Sequence, residues 1–211
     1  MKKKIIILTG DPNSINSEII YKSWKKLNRS IKKRIYIISN YSLLQSQFKK
    51  LNCRIKLEKV RNIDENTNSN KLKILNINLN YKDPFNVERK KASKFVLKCL
   101  DLAHSLALEA KTAGLVNCAI SKNLLNKQKI GVTEYLASKS SLKKDSGVML
   151  IKNNKLSVSP ITTHINIKDI SRKLKKELII NKVKTIEFWY KKKLKKKAKI
   201  AKKKNKTLTF A

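Results

Sequence analysis

The sequence predicts an α/β fold, and three observations carry that prediction. Ile5-Ile6-Ile7-Leu8 is a run of four aliphatic residues, suited to a strand buried on both faces, and it passes through Thr9-Gly10-Asp11-Pro12 into a helical pattern. A second apolar run, Arg34 to Ile38, leads into a second helical stripe, so the chain opens β-α-β-α. A third and much longer stripe, roughly Val87 to Thr112, again precedes a short apolar run, Leu115 to Ala119.

Each element has a local reason. In the first helix Ile20, Trp24 and Leu27 recur at i, i+4 and i+7, and Ser14 or Asn16 is suited to cap its start. Leu44, Phe48 and Leu51 stripe the second helix, after Ser39-Asn40. Cys53 to Val60 alternates, with Ile55 and Leu57 on one face, as a half-buried or edge strand does. Residues 61 to 70, ending Asn66-Thr67-Asn68-Ser69-Asn70, make a polar loop before a strand at Leu72 to Leu79, and Pro84 breaks the pattern at Tyr81 to Asn86.

On the long helix Ala92, Phe95, Val96, Cys99, Leu100, Ala103, Leu106, Ala107 and Ala110 form a broad apolar stripe, and Gly114 stands where a C-cap glycine would close it. Gly131 opens a small helix through Ala137. Val148 to Ile151 and Leu156 to Val158 read as a hairpin turning at Asn153-Asn154. Thr162-Thr163-His164 ends a strand before a helical run that begins near Asp169. Residues 1–190 then form the folded part, and 191–211 a poorly ordered tail, because 191–206 holds eleven lysines and no acid.

Composition narrows the function classes. The 211 residues carry 51 Lys+Arg against 14 Asp+Glu, a net charge of +37, which ordinarily points to nucleic acid or an anionic surface. Only six of those basic residues are arginine, whose planar fork serves base readers and phosphate clamps. Lys, Asn and Ile are abundant throughout while Gly numbers 4, the pattern that an AT-rich genome imposes, so a solvated lysine surface is the favoured reading for residues 1–180. Cys53, Cys99 and Cys118 are widely spaced, which fits a reducing cytoplasm and leaves no local zinc knuckle. Met1 to Lys4 is like a signal n-region, but the apolar run stops at Leu8, and no stretch nears the roughly 18 apolar residues of a membrane span. The expectation is a soluble, cytoplasmic chain.

Neither G-x-G-x-x-G nor a Walker loop is present. Of two histidines, His104 lies on the long helix as an ordinary helix residue, whereas His164 follows two threonines at a predicted strand end, where α/β sheets hold ligands, and reads from local sequence equally as a ligand or as an ordinary loop histidine. From the residues alone the favoured readings are a helix N-cap for Thr133 and a surface lysine for Lys122.

Three collinear segments add more: Gly10-Asp11-Pro12 with Ile15 and Glu18-Ile19, Gly131 with Thr133-Glu134, and Thr162-Thr163-His164 with Ile170. In order and spacing they resemble the 4-hydroxythreonine-4-phosphate dehydrogenase family of pyridoxal phosphate biosynthesis, whose segments run G-D-P-A-G-I-G-P-E-I, then T-G-P-x-x-K and G-H-T-E, then T-x-H. The resemblance covers residues 1 to about 190. It implies a three-layer α/β/α fold like that of isocitrate and isopropylmalate dehydrogenases, incomplete here at the C-terminus, with a cleft site completed across a homodimer. It further implies NAD- or NADP-dependent oxidation of the C3 hydroxyl of 4-phosphohydroxy-L-threonine, a small phosphorylated amino acid. The resulting β-keto acid then loses carbon dioxide.

A divalent metal (Zn, Mg or Co) would polarise that hydroxyl. By the same resemblance His164 takes the place of a metal ligand, Thr133 and Lys122 the places of substrate-binding residues, and Asp11 faces the substrate from the first loop. No cofactor-binding residue is expected in this chain.

The pattern is also broken. Family glycines and proline are Ser14, Asn16 and Ser17, T-G-P-x-x-K survives only as Lys122, and the histidine of G-H-T-E is Val132. The family continues past residue 190 into a half that supplies two more metal histidines and the cofactor site. The expectation is therefore an N-terminal fragment left by a frameshift or stop after Ile200, near the onset of a strand at Lys199-Ile200-Ala201, and possessing too few ligands for a catalytic metal by itself. Two other functions stay open: a basic nucleic-acid-binding protein acting through its lysine tail, and a degraded pseudo-enzyme.

Overall fold

The computed structural model describes residues 3–65, 70–125, 131–140, 147–153, 155–162 and 166–194. Expectations for Asn66 to Ser69, Asn154, Thr163-His164 and the tail from 195 lie outside the described residues, including the predicted strand onset at Lys199-Ile200-Ala201. Two compact units divide the chain, Met1–Lys139 and Ser140–Ala211.

The first unit is a parallel five-stranded sheet in the order β3-β4-β2-β1-β5. Its elements are β1 (Lys4–Leu8), α1 (Asn16–Lys26), the single turn α2 (Arg29–Lys32), β2 (Ile35–Ser39), α3 (Tyr41–Lys50), β3 (Leu57–Val60), β4 (Leu72–Asn76), α4 (Arg89–Leu108), β5 (Thr112–Asn117) and α5 (Val132–Lys139). β1 sits between β2 and β5 with Ile7 opposite both Ile37 and Val116. β3 is an edge strand, as its alternation predicts.

The aliphatic runs sort their side chains by parity. Ile35, Ile37 and Ile74 face α1 and α3, where Ile20, Trp24, Leu44 and Phe48 cover them. Ile6, Leu8, Tyr36 and Ile38 face the other way, against Ala92, Phe95, Val96, Cys99 and Leu100 of α4. Two buried clusters on opposite faces of one sheet make the three-layer α/β/α arrangement.

Several boundaries differ from the sequence expectation. α4 ends at Leu108, and its C-cap, Glu109, is already extended at φ −67° and ψ 140°, so the chain leaves the helix directly for β5. Gly114 is therefore a strand residue and not a cap; among the described glycines only Gly10 has positive φ. A left-handed cap does occur after α3, on Asn52 at φ 52°, where Cys53 N–H reaches Phe48 O and Asn52 N–H reaches Lys49 O. Neither Ser14 nor Asn16 caps α1; the N-cap is Ile15, without a side-chain bond. Asn40 does cap α3, its Oδ1 accepting from Leu43 N–H at 2.8 Å.

The second unit holds the predicted hairpin, with β6 (Ile151–Lys152) antiparallel to β7 (Ser157–Val158). Then come α6 (Ile170–Lys173) and α7 (Lys176–Trp189), and a π-helical turn at Tyr190–Leu194. No strand is assigned at Thr162, which lies in a bend. Among the described residues no helix is long and apolar enough to cross a membrane.

Candidate functional site

In an open parallel sheet ligands bind beyond the carboxyl ends of the strands, at the point where the strand order reverses. Here that point lies between β1 and β5, and the loops leaving these two strands meet there. Asp11 N–H donates to Ala119 O at 3.0 Å. Gly10 allows the approach: its φ is +72°, and a Cβ on it would stand 2.4 Å from Ala119 O and 3.1 Å from Cys118 O.

The residues that replace family glycines hold this junction together. Asn16 is 2% exposed, and its Nδ2 donates to Thr9 O at 2.8 Å and to Ala119 O at 2.7 Å, tying the exits of β1 and β5 to α1. Ser14 Oγ donates to Asp11 O at 2.8 Å and accepts from Asn16 N–H at 3.3 Å.

Two further residues, which sequence reading did not single out, fix the outer side of the loop. Asn13 clamps Val87 in both directions, donating to its carbonyl at 2.9 Å and accepting from its N–H at 2.7 Å. Buried Gln47 donates to Pro12 O at 2.8 Å and to Pro84 O at 2.7 Å. Its signal was available: a polar residue on the inner face of α3, among Leu43, Leu44 and Phe48.

Of the predicted site residues, Asp11 lies in this loop, where its Oδ1 accepts from Asn13 N–H at 2.9 Å and closes a turn. Lys122 begins a 3-10 turn, Lys122–Leu124, just beyond the end of β5, and it is exposed. That turn is fastened to α4 by Ser93 Oγ, which donates to Leu124 O at 2.7 Å.

Thr133 is exposed in the first turn of α5 and is not its cap, since the first helical bond runs from Tyr135 N–H to Gly131 O. α5 is seated on α4 by Tyr135, whose hydroxyl donates to Asp101 Oδ1 at 2.8 Å, with Lys139 Nζ 3.0 Å from the same oxygen. Burial first, and then the bond to Asp101, pushes the Tyr135 hydroxyl pKa up. Val132, in the place of the family histidine, packs against the core cluster under α4.

Two groups at the start of α1 keep hydrogen-bonding capacity. Asn16 Oδ1 and Ser17 Oγ are buried without a hydrogen-bond partner. The metal expectation fares differently. No three His, Cys, Asp or Glu among the described residues are grouped as a metal set, and His164 lies outside those residues. The described residues therefore do not by themselves fit a catalytic divalent ion. Cys53, Cys99 and Cys118 are free thiols.

The sequence matches, over residues 30–205, the family described as pyridoxal phosphate biosynthetic protein PdxA. It is 34% identical over 195 residues to the 4-hydroxythreonine-4-phosphate dehydrogenase of Sulfurihydrogenibium sp. (strain YO3AOP1), covering 90% of this chain and 58% of that protein. Identity to the enzyme of the same name from Aquifex aeolicus (strain VF5) is 32% over 191 residues, covering 88% of this chain and 57% of that protein. The crystal structure of 4-hydroxythreonine-4-phosphate dehydrogenase from Klebsiella pneumoniae shares the fold with a TM-score of 0.77 at 23% identity, over 90% of this chain and 60% of that one. The chain thus spans 58% and 57% of the length of the two curated relatives.

Proposed function

Because the chain belongs to the pyridoxal phosphate biosynthetic protein PdxA family, we propose that it is the N-terminal part of a 4-hydroxythreonine-4-phosphate dehydrogenase and supplies one wall of its active-site crevice. The observation that carries this reading is the meeting of the loops from β1 and β5 at the reversal of strand order, with Gly10 and Asp11 against Ala119. The substrate is 4-phosphohydroxy-L-threonine, whose C3 hydroxyl is oxidised with NAD or NADP as hydride acceptor and whose product loses carbon dioxide.

This chain's share of the work is binding and orientation. Lys122 places an ammonium where it attracts the substrate's anionic groups, and Thr133 offers a hydroxyl from a helix held rigidly on α4. Asp11 shapes the first loop through its bond to Asn13 N–H and keeps a second carboxylate oxygen for the substrate. Metal and nicotinamide binding belong, on this reading, to residues supplied with the rest of the family's length, and the working form is a homodimer in the cytoplasm.

Complementation tests the reading. The purified chain is mixed or co-expressed with the segment of the Sulfurihydrogenibium protein that it does not cover, and substrate-dependent reduction of NAD or NADP is followed. Turnover is expected only with both pieces, and Lys122→Met or Thr133→Val should raise KM about tenfold with kcat nearly unchanged. Turnover by the chain alone would refute the fragment assignment, and complemented turnover indifferent to both substitutions would refute the residue roles.

A further inference from the structure

The two units bury their apolar residues unequally. Among the described residues every buried apolar side chain, from Ile6 to Tyr135, belongs to the first unit, Met1–Lys139. In the second unit the buried residues are Ser159 and Lys182. Such a unit has no core of its own to offset the entropy of ordering its chain.

The hairpin shows where a core is wanted. Ile151 pairs with Val158 and Lys152 with Ser157, so strand alternation puts Met149, Ile151, Leu156 and Val158 on one face and Leu150, Ser157 and Ser159 on the other. The second face is the packed one. Ser157 Oγ lies 2.8 Å from the Tyr190 hydroxyl just past α7, Ser159 Oγ donates to Met149 O at 2.8 Å, and Leu150 is half-buried. The first face is bare: Met149 is 43% exposed, Ile151 62%, Leu156 40% and Val158 43%.

An ordinary antiparallel hairpin turns its apolar face inward and its polar face to water, and this one does the reverse. Two strands with a bare apolar face are marginal alone and are stabilised by a further element laid against them. The chain spans 58% of the Sulfurihydrogenibium relative, and the unit without a core is the one at its C-terminal side. A second copy suits the strip poorly, because it would bring Lys152 and Lys155 against their own equivalents on a chain of net charge +37.

We propose, building on the fragment assignment above, that the strip of Met149, Ile151, Leu156 and Val158 is the docking surface for the segment of the dehydrogenase that this chain lacks. The second unit gains its core, and its order, on receiving that segment. The four side chains carry no strong donor or acceptor, so the segment must present an apolar face to them.

The test uses the full 211-residue chain and, as partner, the part of the Sulfurihydrogenibium protein that the chain does not cover. Affinity is read by calorimetry and order by amide exchange, neither of which requires turnover. In the chain alone, amides of β2 and α4 should exchange at least a hundredfold more slowly than those of the hairpin and α7. The segment should slow the hairpin and α7 at least tenfold. Ile151→Ser and Val158→Ser, at positions already exposed, should leave the unfolding midpoint of the chain unchanged and each weaken the segment at least tenfold. Leu51→Ser, at an exposed leucine of the first unit, should leave affinity unchanged.

Absence of binding, parent affinity in Ile151→Ser and Val158→Ser, or protection confined to the first unit would overturn the proposal, even where the mixture turns over substrate. Docking through the strip without turnover would support it and count against the dehydrogenase reading instead. A dimer of the chain alone that Ile151→Ser dissolves would make a second copy the occupant and overturn the assignment to the segment.

Discussion

The two ends of the parallel sheet both bury polar side chains, but in opposite ways. At the carboxyl end Asn16 and Gln47 are neutral amides, and each places its Nδ2 or Nε2 on two carbonyls. At the amino end Lys73 of β4 is 1% exposed, with one hydrogen bond, to Lys33 O at 2.6 Å, and its ammonium 4.2 Å from the centroid of the Tyr36 ring. A neutral amide is fixed by geometry and is indifferent to pH; a buried ammonium is held by a balance of burial and charge that pH can move. One end of the sheet is therefore rigid by construction and the other is adjustable.

The rigid end should break most sharply at its closest approach. Gly10→Ala places a Cβ 2.4 Å from Ala119 O on a backbone at φ +72°, so the exits of β1 and β5 must part. A loss of about 3 kcal/mol is expected, as a lower midpoint in urea unfolding with unchanged slope. Gly131 is the internal control. A Cβ there meets only the flexible end of Glu134, so Gly131→Ala should cost far less.

Asn16→Ala comes next. It strips the side-chain donor from the buried Thr9 O and from Ala119 O, which keeps Asp11 N–H, and about 2 kcal/mol should be lost. Amide exchange should accelerate at Asp11, whose bond to Ala119 O the clasp supports, and stay slow in β2. Equal acceleration throughout the sheet would mean that Asn16 serves the fold at large and not this junction.

The adjustable end is read out by pH. Burial, and then the neighbouring Lys4, lower the Lys73 pKa to about 8, against an opposing pull from Glu58 on β3. A lysine whose folded pKa is lowered is neutral in the folded state and still protonated in the unfolded state between pH 8 and its ordinary value of 10.5. The unfolded state then binds more protons, and stability rises with pH across that window. The difference between the parent chain and Lys73→Met should change by roughly 2 kcal/mol from pH 7.5 to pH 10.5, the parent gaining. Taking the difference removes the titration of the many surface lysines. A pH-independent difference would place Lys73 outside the adjustable region.

Much of this architecture was legible in the sequence, because strands and helices both carry periodic apolar patterns. Ile5 to Leu8 suits a strand buried on both faces, Arg34 to Ile38 reads as a second apolar strand, and Ile20 with Trp24, or Phe95 with Cys99, reads as a helix face. The end of α4 was not legible. Gly114 looked like a cap, but capping depends on a left-handed backbone that the chain adopts at Asn52 and not there.

The junction was half legible. The family resemblance puts glycines where this sequence has Ser14 and Asn16, and a lost glycine signals altered backbone freedom. The structure shows Ser14 bonding Asp11 O and Asn16 bonding Thr9 O and Ala119 O, the last a long-range contact over 103 residues that no local pattern encodes. Lys73 carries a sequence signal of its own, a charge inside Leu72-Lys73-Ile74-Leu75, where a strand covered on both faces has no room for it.

The smallest effect sharpens where scaffold ends and site begins. Tyr135 is 9% exposed and belongs to the scaffold by its bond to Asp101, whereas Thr133, two residues earlier on the same helix, is exposed. Tyr135→Phe removes that hydroxyl, and the Asp101 carboxylate keeps Lys139 as its partner, so the loss should be about 1 kcal/mol. Thr133→Val removes a hydroxyl from a solvated position inside a helix and should change thermal stability by less than about 0.5 kcal/mol. If Thr133 acts on substrate, this near-silent variant should nevertheless raise KM in the complemented enzyme. Tyr135→Phe should raise KM too, but only as far as α5 loosens, which faster amide exchange in Val132–Lys139 would report. A Thr133→Val variant as destabilised as Tyr135→Phe would move Thr133 into the scaffold and leave Lys122 as the one substrate contact supported beyond β5.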